Sequence, residues 1–133
     1  MTEKIRNEHA NLLCTKAQED EAALAFALSD DIFGFHAQQS CEKLLKALLS
    51  SLAIEYPKTH SLEQLAELLA QFDELLPSLP YDLLDLDPFA VELRYDVGNS
   101  ILESERIVIR ETVGALRKHV IARILDIEVS AQA

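Results

Sequence analysis

An all-α fold, an up-and-down antiparallel four-helix bundle with one additional short helix, is what this sequence predicts, and three observations carry it. Apolar residues recur at three- and four-residue steps, as in Cys41, Leu44, Leu45, Leu48, Leu49 and Leu52. Alternation at period two, the mark of a strand, is rare over four or more positions. The breaks are short, which favours antiparallel packing of successive helices. With 133 residues, 49% of them hydrophobic and 26% charged, the chain is the size of one domain, 1–133, and large enough to bury a core without disulfides or metal.

The first helix is predicted over about 8–28, where the motif A-x-x-D-E-x-A-L at Ala17, Asp20, Glu21, Ala23 and Leu24 puts small residues where another helix can approach. Ser29, Asp30 and Asp31 interrupt it and offer side-chain oxygens to cap the next. That second helix, about 31–54, carries the stripe from Cys41 to Leu52 on one side and Gln39, Glu42, Lys43 and Lys46 on the other, and Pro57 closes it. Ser61 with Gln64 forms a capping box and opens a third helix to about Leu76 on Leu62, Leu65, Leu68, Leu69 and Phe72. Turns or a short helix fill Pro77 to Pro88. Asp87 and Pro88 then read as the cap and first turn of a short fourth helix to about Tyr95. After a break at Val97, Gly98 and Asn99, Ser100 with Glu103 forms another capping box. The last helix runs from there to about Leu125 on Ile109, Val113, Leu116, Val120 and Ile124, and the final SAQA is expected to fray.

Composition narrows the function. The longest apolar run, AALAFAL at 22–28, is far short of the roughly 20 residues of a membrane span, and the polar start MTEKIRNEHAN lacks an apolar signal core, so a cytoplasmic protein without membrane contact is expected. Cys14 and Cys41 lack ligand spacing and read as buried reduced thiols, with no metal and no cofactor. A net charge of −11 argues against broad contact with nucleic acid. The basic residues concentrate in the last helix, where Arg106, Arg110 and Arg117 form a stripe, while 63–96 holds nine acids and one Arg. That asymmetry suits a basic partner or a dimer.

Three stretches stand out: HAQQSCEKLLKALL at 36–49, KTHSLEQLAELL at 58–69 and FAVELRY at 89–95. From spacing alone, Gln39, Glu42, Lys43 and Lys46 are the solvated side of an amphipathic helix laced by weak ion pairs. His60 bridges a loop to a helix start, and His36 is a partly exposed polar residue. Arg94 is neutralised by Glu92 and Asp96, with Tyr95 packing on the bundle. His9 and His119 carry no motif.

Taken in order, the three stretches resemble the HEPN domain, a small all-helical domain found beside nucleotidyltransferases and in several RNA-cleaving systems. Ala37, Gln39, Glu42, Lys43, Lys46, Ala47, Leu48 and Leu49 match its A-x-Q-x-x-E-K-x-x-K-A-L-L signature, Thr59, His60 and Leu62 its T-H-x-L, and Arg94 with Tyr95 its R-Y pair. Asp96 stands where the family usually has Pro. The resemblance spans about 15–120 and implies a ligand-binding face of Gln39, Glu42, Lys43, Lys46, His60, Arg94 and Tyr95. Lys43, Lys46 and Arg94 would meet phosphate, while Gln39 and His60 orient the ligand or the loop. It further implies a homodimer acting as the nucleotide- or substrate-binding partner of a nucleotidyltransferase, in some cases within a toxin–antitoxin module. Ribonuclease members carry an Arg, four to six intervening residues and a His, and no histidine of this chain has an Arg at that distance. No catalytic residue is therefore expected. The alternatives are a ribonuclease toxin with a divergent active site and a purely structural interaction module.

Overall fold

The computed structural model describes residues 1–90 and 100–132. They form α1 (Glu3–Ala23), α2 (Asp30–Ser51), α3 (Leu62–Gln71), a 3₁₀ helix (Leu83–Phe89) and α4 (Glu103–Gln132), with no strand among the described residues. The protein is an all-α bundle. No described helix is long and apolar enough to cross a membrane.

α2 is the central element, packed against α1, α3, the 3₁₀ helix and α4. Its apolar side, from Phe33 through Ala37, Cys41, Leu44 and Leu48, is fully buried, and so are Gln38 and Ser40. Burial almost all round its circumference corrects the expectation of a solvated opposite face. Small residues set the α1–α2 contact. Ala10, Cys14 and Ala17 form a buried seam on α1, close enough for the Ser40 hydroxyl to donate to the Ala17 carbonyl at 2.8 Å.

Helix ends fall where backbone chemistry puts them. α1 begins at Thr2, whose Oγ1 accepts from the Ile5 N–H, and ends at Ala23 rather than near 28. There the N–H groups of Leu24, Ala25 and Phe26 turn to carbonyls three residues back, and Phe26 is left 68% exposed. α2 and α3 stop before the expected 54 and 76 because Ala53 (φ 60°) and Asp73 (φ 59°) adopt left-handed backbone. Ile54 and Glu74 then donate back to the carbonyls of Leu49 and Leu69, closing each helix in a Schellman pattern.

Ser61 caps α3 as expected, accepting from the Gln64 N–H at 3.2 Å. Asp87 does not act as the cap of a new helix at Pro88, because it lies inside the 3₁₀ helix Leu83–Phe89. Its carboxylate instead caps α3, accepting from the N–H groups of Leu62 at 2.8 Å and Glu63 at 3.3 Å. Among the described residues the short helix is the 3₁₀ turn capped by Asp82, with Pro88 inside it, and residues 91–95 of the expected helix lie outside the described residues. α4 starts at Glu103, not at Ser100, and runs past Leu125 to Gln132, so most of the expected frayed end is helical. The Leu102 N–H is taken by the Glu105 carboxylate and that of Ile101 by Asp30.

The basic stripe of α4 is turned inward. Arg106 donates to the Leu28 carbonyl and to Asp30, both at 2.7 Å, with its guanidinium 4.5 Å from the Phe33 ring centroid. Arg110 reaches the Leu24 carbonyl and Arg117 pairs with Glu21 at 2.7 Å. Arg110 and Arg117 thus meet a carbonyl and an acid at the C-terminal end of α1, where positive charge is favourable, while Arg106 neutralises Asp30 at the start of α2.

Both cysteines are free and buried. Burial, with Glu128 nearby, pushes the Cys14 thiol up to about 11, and burial, with Glu21 behind it, pushes Cys41 up to about 12. Almost no thiolate is present at neutral pH. A chromogenic thiol titration of native protein at pH 7 is expected to give negligible reaction over minutes, and both thiols should react at once in guanidinium. Rapid labelling of the native chain would contradict this burial.

Candidate functional site

Two buried carboxylates organise the polar residues of α2, and each is matched by one Lys and one His. Asp20, on α1, accepts from Lys43 Nζ, and its Oδ1 lies 2.9 Å from His36 Nδ1. Glu42, only 4% exposed, accepts from Lys46 Nζ at 3.1 Å and lies 3.0 Å from His60 Nδ1. Burying a carboxylate is costly unless it is paired and hydrogen-bonded, and both acids meet that condition.

The Glu42 cluster is the more elaborate. Gln38, fully buried, donates through Nε2 to the His60 carbonyl at 2.6 Å and approaches Glu42 Oε1 at 3.4 Å. Gln39 Nε2 donates to Gln38 Oε1 at 2.9 Å and to Glu42 at 3.3 Å. His60, with its side chain 71% exposed, thus ties the connection between α2 and α3 to α2 through both ring and backbone. Tyr56, in the same connection, lies under Lys46, whose ammonium is 5.9 Å from the ring centroid, and its hydroxyl is 3.4 Å from His9 Nε2. Burial first, and then the Glu42 charge, raises the Tyr56 phenol above its ordinary value, so it stays a neutral hydroxyl at physiological pH.

Of the seven residues anticipated for the site, the structure therefore gathers Gln39, Glu42, Lys46 and His60 in one network. It gives Lys43 a separate carboxylate, Asp20. Arg94 and Tyr95 lie outside the described residues.

The network opens on one side into a hollow of about 420 Å³, lined by His9, Leu13, Lys46, Tyr56, Lys58 and His60 among others. A second hollow of about 410 Å³ shares His9 and Tyr56 and adds Arg6 and Ser50. Sequence reasoning missed this setting. Tyr56 lies outside every motif, and nothing in the spacing of α1 marks Arg6 or His9 as neighbours of the 56–60 connection. Gln38 left a readable trace as the first Gln of the QQ pair. Among the described residues no cluster of His, Cys, Asp and Glu has the makings of a metal site. What the arrangement offers chemically is ammonium and imidazole donors beside an aromatic ring, a set suited to holding an anion.

No curated protein and no solved structure matches the chain. Among protein-family models, that of the HEPN domain matches residues 10–123, which takes in α2, the Glu42 network, α3 and most of α4. A match over most of the chain establishes that this protein belongs to the HEPN domain family.

Proposed function

We propose that this protein is a noncatalytic HEPN partner of a nucleotidyltransferase and that it binds a phosphate-bearing ligand, a nucleotide, in the hollow beside Tyr56. One observation carries the reading: Lys46, Lys58 and His60 line a single hollow with Tyr56 in a chain of net charge −11. An aromatic face with ammonium groups at its edge suits a base and its phosphates. Lys46 is held by Glu42, which fixes its position while sharing its charge, so the exposed Lys58 supplies the freer cation. In this reading Gln39 and Glu42 support the site from behind. Lys43, engaged by Asp20, contributes less than the family signature alone implies, and Arg94 and Tyr95 remain candidates from the sequence.

A homodimer belongs to the same proposal, because Ile5 and Leu12 on α1 and Ile107, Leu125 and Val129 on α4 are half or more exposed. The nucleotidyltransferase partner and the toxin–antitoxin setting rest on the family resemblance.

Calorimetry with nucleoside mono-, di- and triphosphates tests the site. At least one is expected to bind, and Lys58→Glu is expected to weaken it by about tenfold or more through reversal of one phosphate-facing charge, with the melting temperature unchanged. No heat across the panel, or equal affinity in the variant, would overturn the reading.

A further inference from the structure

The opposite end of the chain's middle segment has the reverse character. From 59 to 90 there are seven acids and neither Lys nor Arg. Within this stretch Ala66, Leu76, Leu79, Pro80, Leu83 and Leu84 line, with Tyr81, Asp82 and Pro77, a groove of about 520 Å³ between α3 and the 3₁₀ helix. Leu84 is 42% exposed, and along the chain beside the groove Leu75 and Phe72 are exposed as well.

We propose that this groove docks a cationic amphipathic helix of a partner protein, its leucine or aromatic side chains entering between Leu76 and Leu84 and its Lys or Arg side chains meeting the acidic rim. Charge complementarity selects this occupant. Glu63, Glu67, Asp73 and Asp85 form no ion pair with any described residue, whereas Glu74 is taken by Arg123, Asp87 by the α3 cap and Asp82 by the cap of the 3₁₀ helix. The field at the groove is felt by Tyr81, whose phenol is raised first by burial and then by Asp85, Glu105 and Asp82.

A second copy of this chain fits the groove poorly. Each copy carries −11, and its main basic stripe, Arg106, Arg110 and Arg117, is spent within the same copy on the end of α1 and the start of α2. The mode is that of an amphipathic helix in an apolar groove, with the rim charges setting orientation and on-rate. It does not depend on the nucleotide reading, since the groove and the Tyr56 hollow share no lining residue.

The test uses the full chain and a fluorescent 18-residue peptide of Leu and Lys patterned to form an amphipathic helix, with a shuffled peptide of equal composition as control. The patterned peptide is expected to bind at least about tenfold tighter than the shuffled one, and Glu63→Lys/Asp85→Lys to lose about tenfold where Glu19→Lys/Glu111→Lys, equal in net charge, loses little. Leu84→Glu separates groove from charge. It adds an acid, so attraction by net charge alone predicts tighter binding, whereas docking in the groove predicts weaker binding. No binding, equal loss in both double variants, or tighter binding by Leu84→Glu would each overturn the proposal. So would a dimer, by light scattering, that Leu84→Glu dissociates, because the groove would then belong to a second copy.

Discussion

Glu42→Ala is expected to destabilise the protein by about 3 kcal/mol, the cost of removing one partner of a buried ion pair. Glu42 is 4% exposed and accepts from Lys46, whose side chain is 16% exposed, while His60, Gln38 and Gln39 converge on the same two oxygens. Truncation leaves the Lys46 ammonium without its counter-charge, and the lysine stem recovers part of the loss by extending toward the Tyr56 hollow. It also releases the His60 ring, leaving His60 held to α2 only through the Gln38 hydrogen bond to its carbonyl. A loss of this size lowers the melting temperature by about 10 °C in a domain of this length. Chemical denaturation monitored by circular dichroism measures it. Lys46→Met in the Glu42→Ala background is expected to restore part of the stability, since removing both charges leaves no unpaired one. A loss below about 0.5 kcal/mol would place Glu42 among ordinary surface acids, whose ion pairs contribute at that level.

That Lys46 sits one turn from Glu42 was legible in the spacing, and the Ser61 half of the capping box was legible in the same way, although the Ser61 N–H goes to Thr59 and not to Gln64. Neither required knowledge of distant residues. The burial of Glu42 did require it, because the 39–46 face reads as solvated until the 56–60 connection folds over it. The Lys43–Asp20 bond spans 23 residues between two helices. No local pattern separates it from the i, i+4 pairs that usually solvate such a face. The family signature places Lys43 and Lys46 together without revealing that the two lysines serve different carboxylates.

The helix cores were readable, and their ends were less so for one physical reason. Helices commonly stop at a glycine that takes left-handed backbone at little cost. This chain has three glycines and uses Ala53 and Asp73 instead. Each sits where the side chain makes that conformation cost about 1 kcal/mol, so the stop signal is invisible to a reader looking for Gly. Asp87 illustrates the other failure. An Asp before a Pro is a good helix opener. Here the same carboxylate found unsatisfied N–H groups at the start of α3, 25 residues earlier, and tertiary demand prevailed over local habit.

Gly34→Val is expected to cost about 3 kcal/mol, the upper end of the usual overpacking penalty. Gly34 is buried on α2, and a Cβ added there would overlap the ring of Phe89, itself only 5% exposed in the 3₁₀ helix. The overlap falls on the ring itself, not on the tip of a flexible chain, so the 3₁₀ helix must move as a unit. Replacing a helical Gly with Val gains only a few tenths of a kcal/mol in propensity, too little to compensate. The displacement has a second effect, because the 3₁₀ helix carries Asp87 and with it a cap of α3, contacts whose loss typically costs about 1 kcal/mol. Hydrogen exchange should therefore quicken at the Leu62 and Glu63 amides as well as around Phe89. Combining Gly34→Val with Phe89→Ala separates the causes: if the clash is with the ring, the double variant loses less than the sum of the singles. Additive losses, or a Gly34→Val protein as stable as the parent, would mean that the close approach of the 3₁₀ helix to α2 is not what makes glycine necessary at this position.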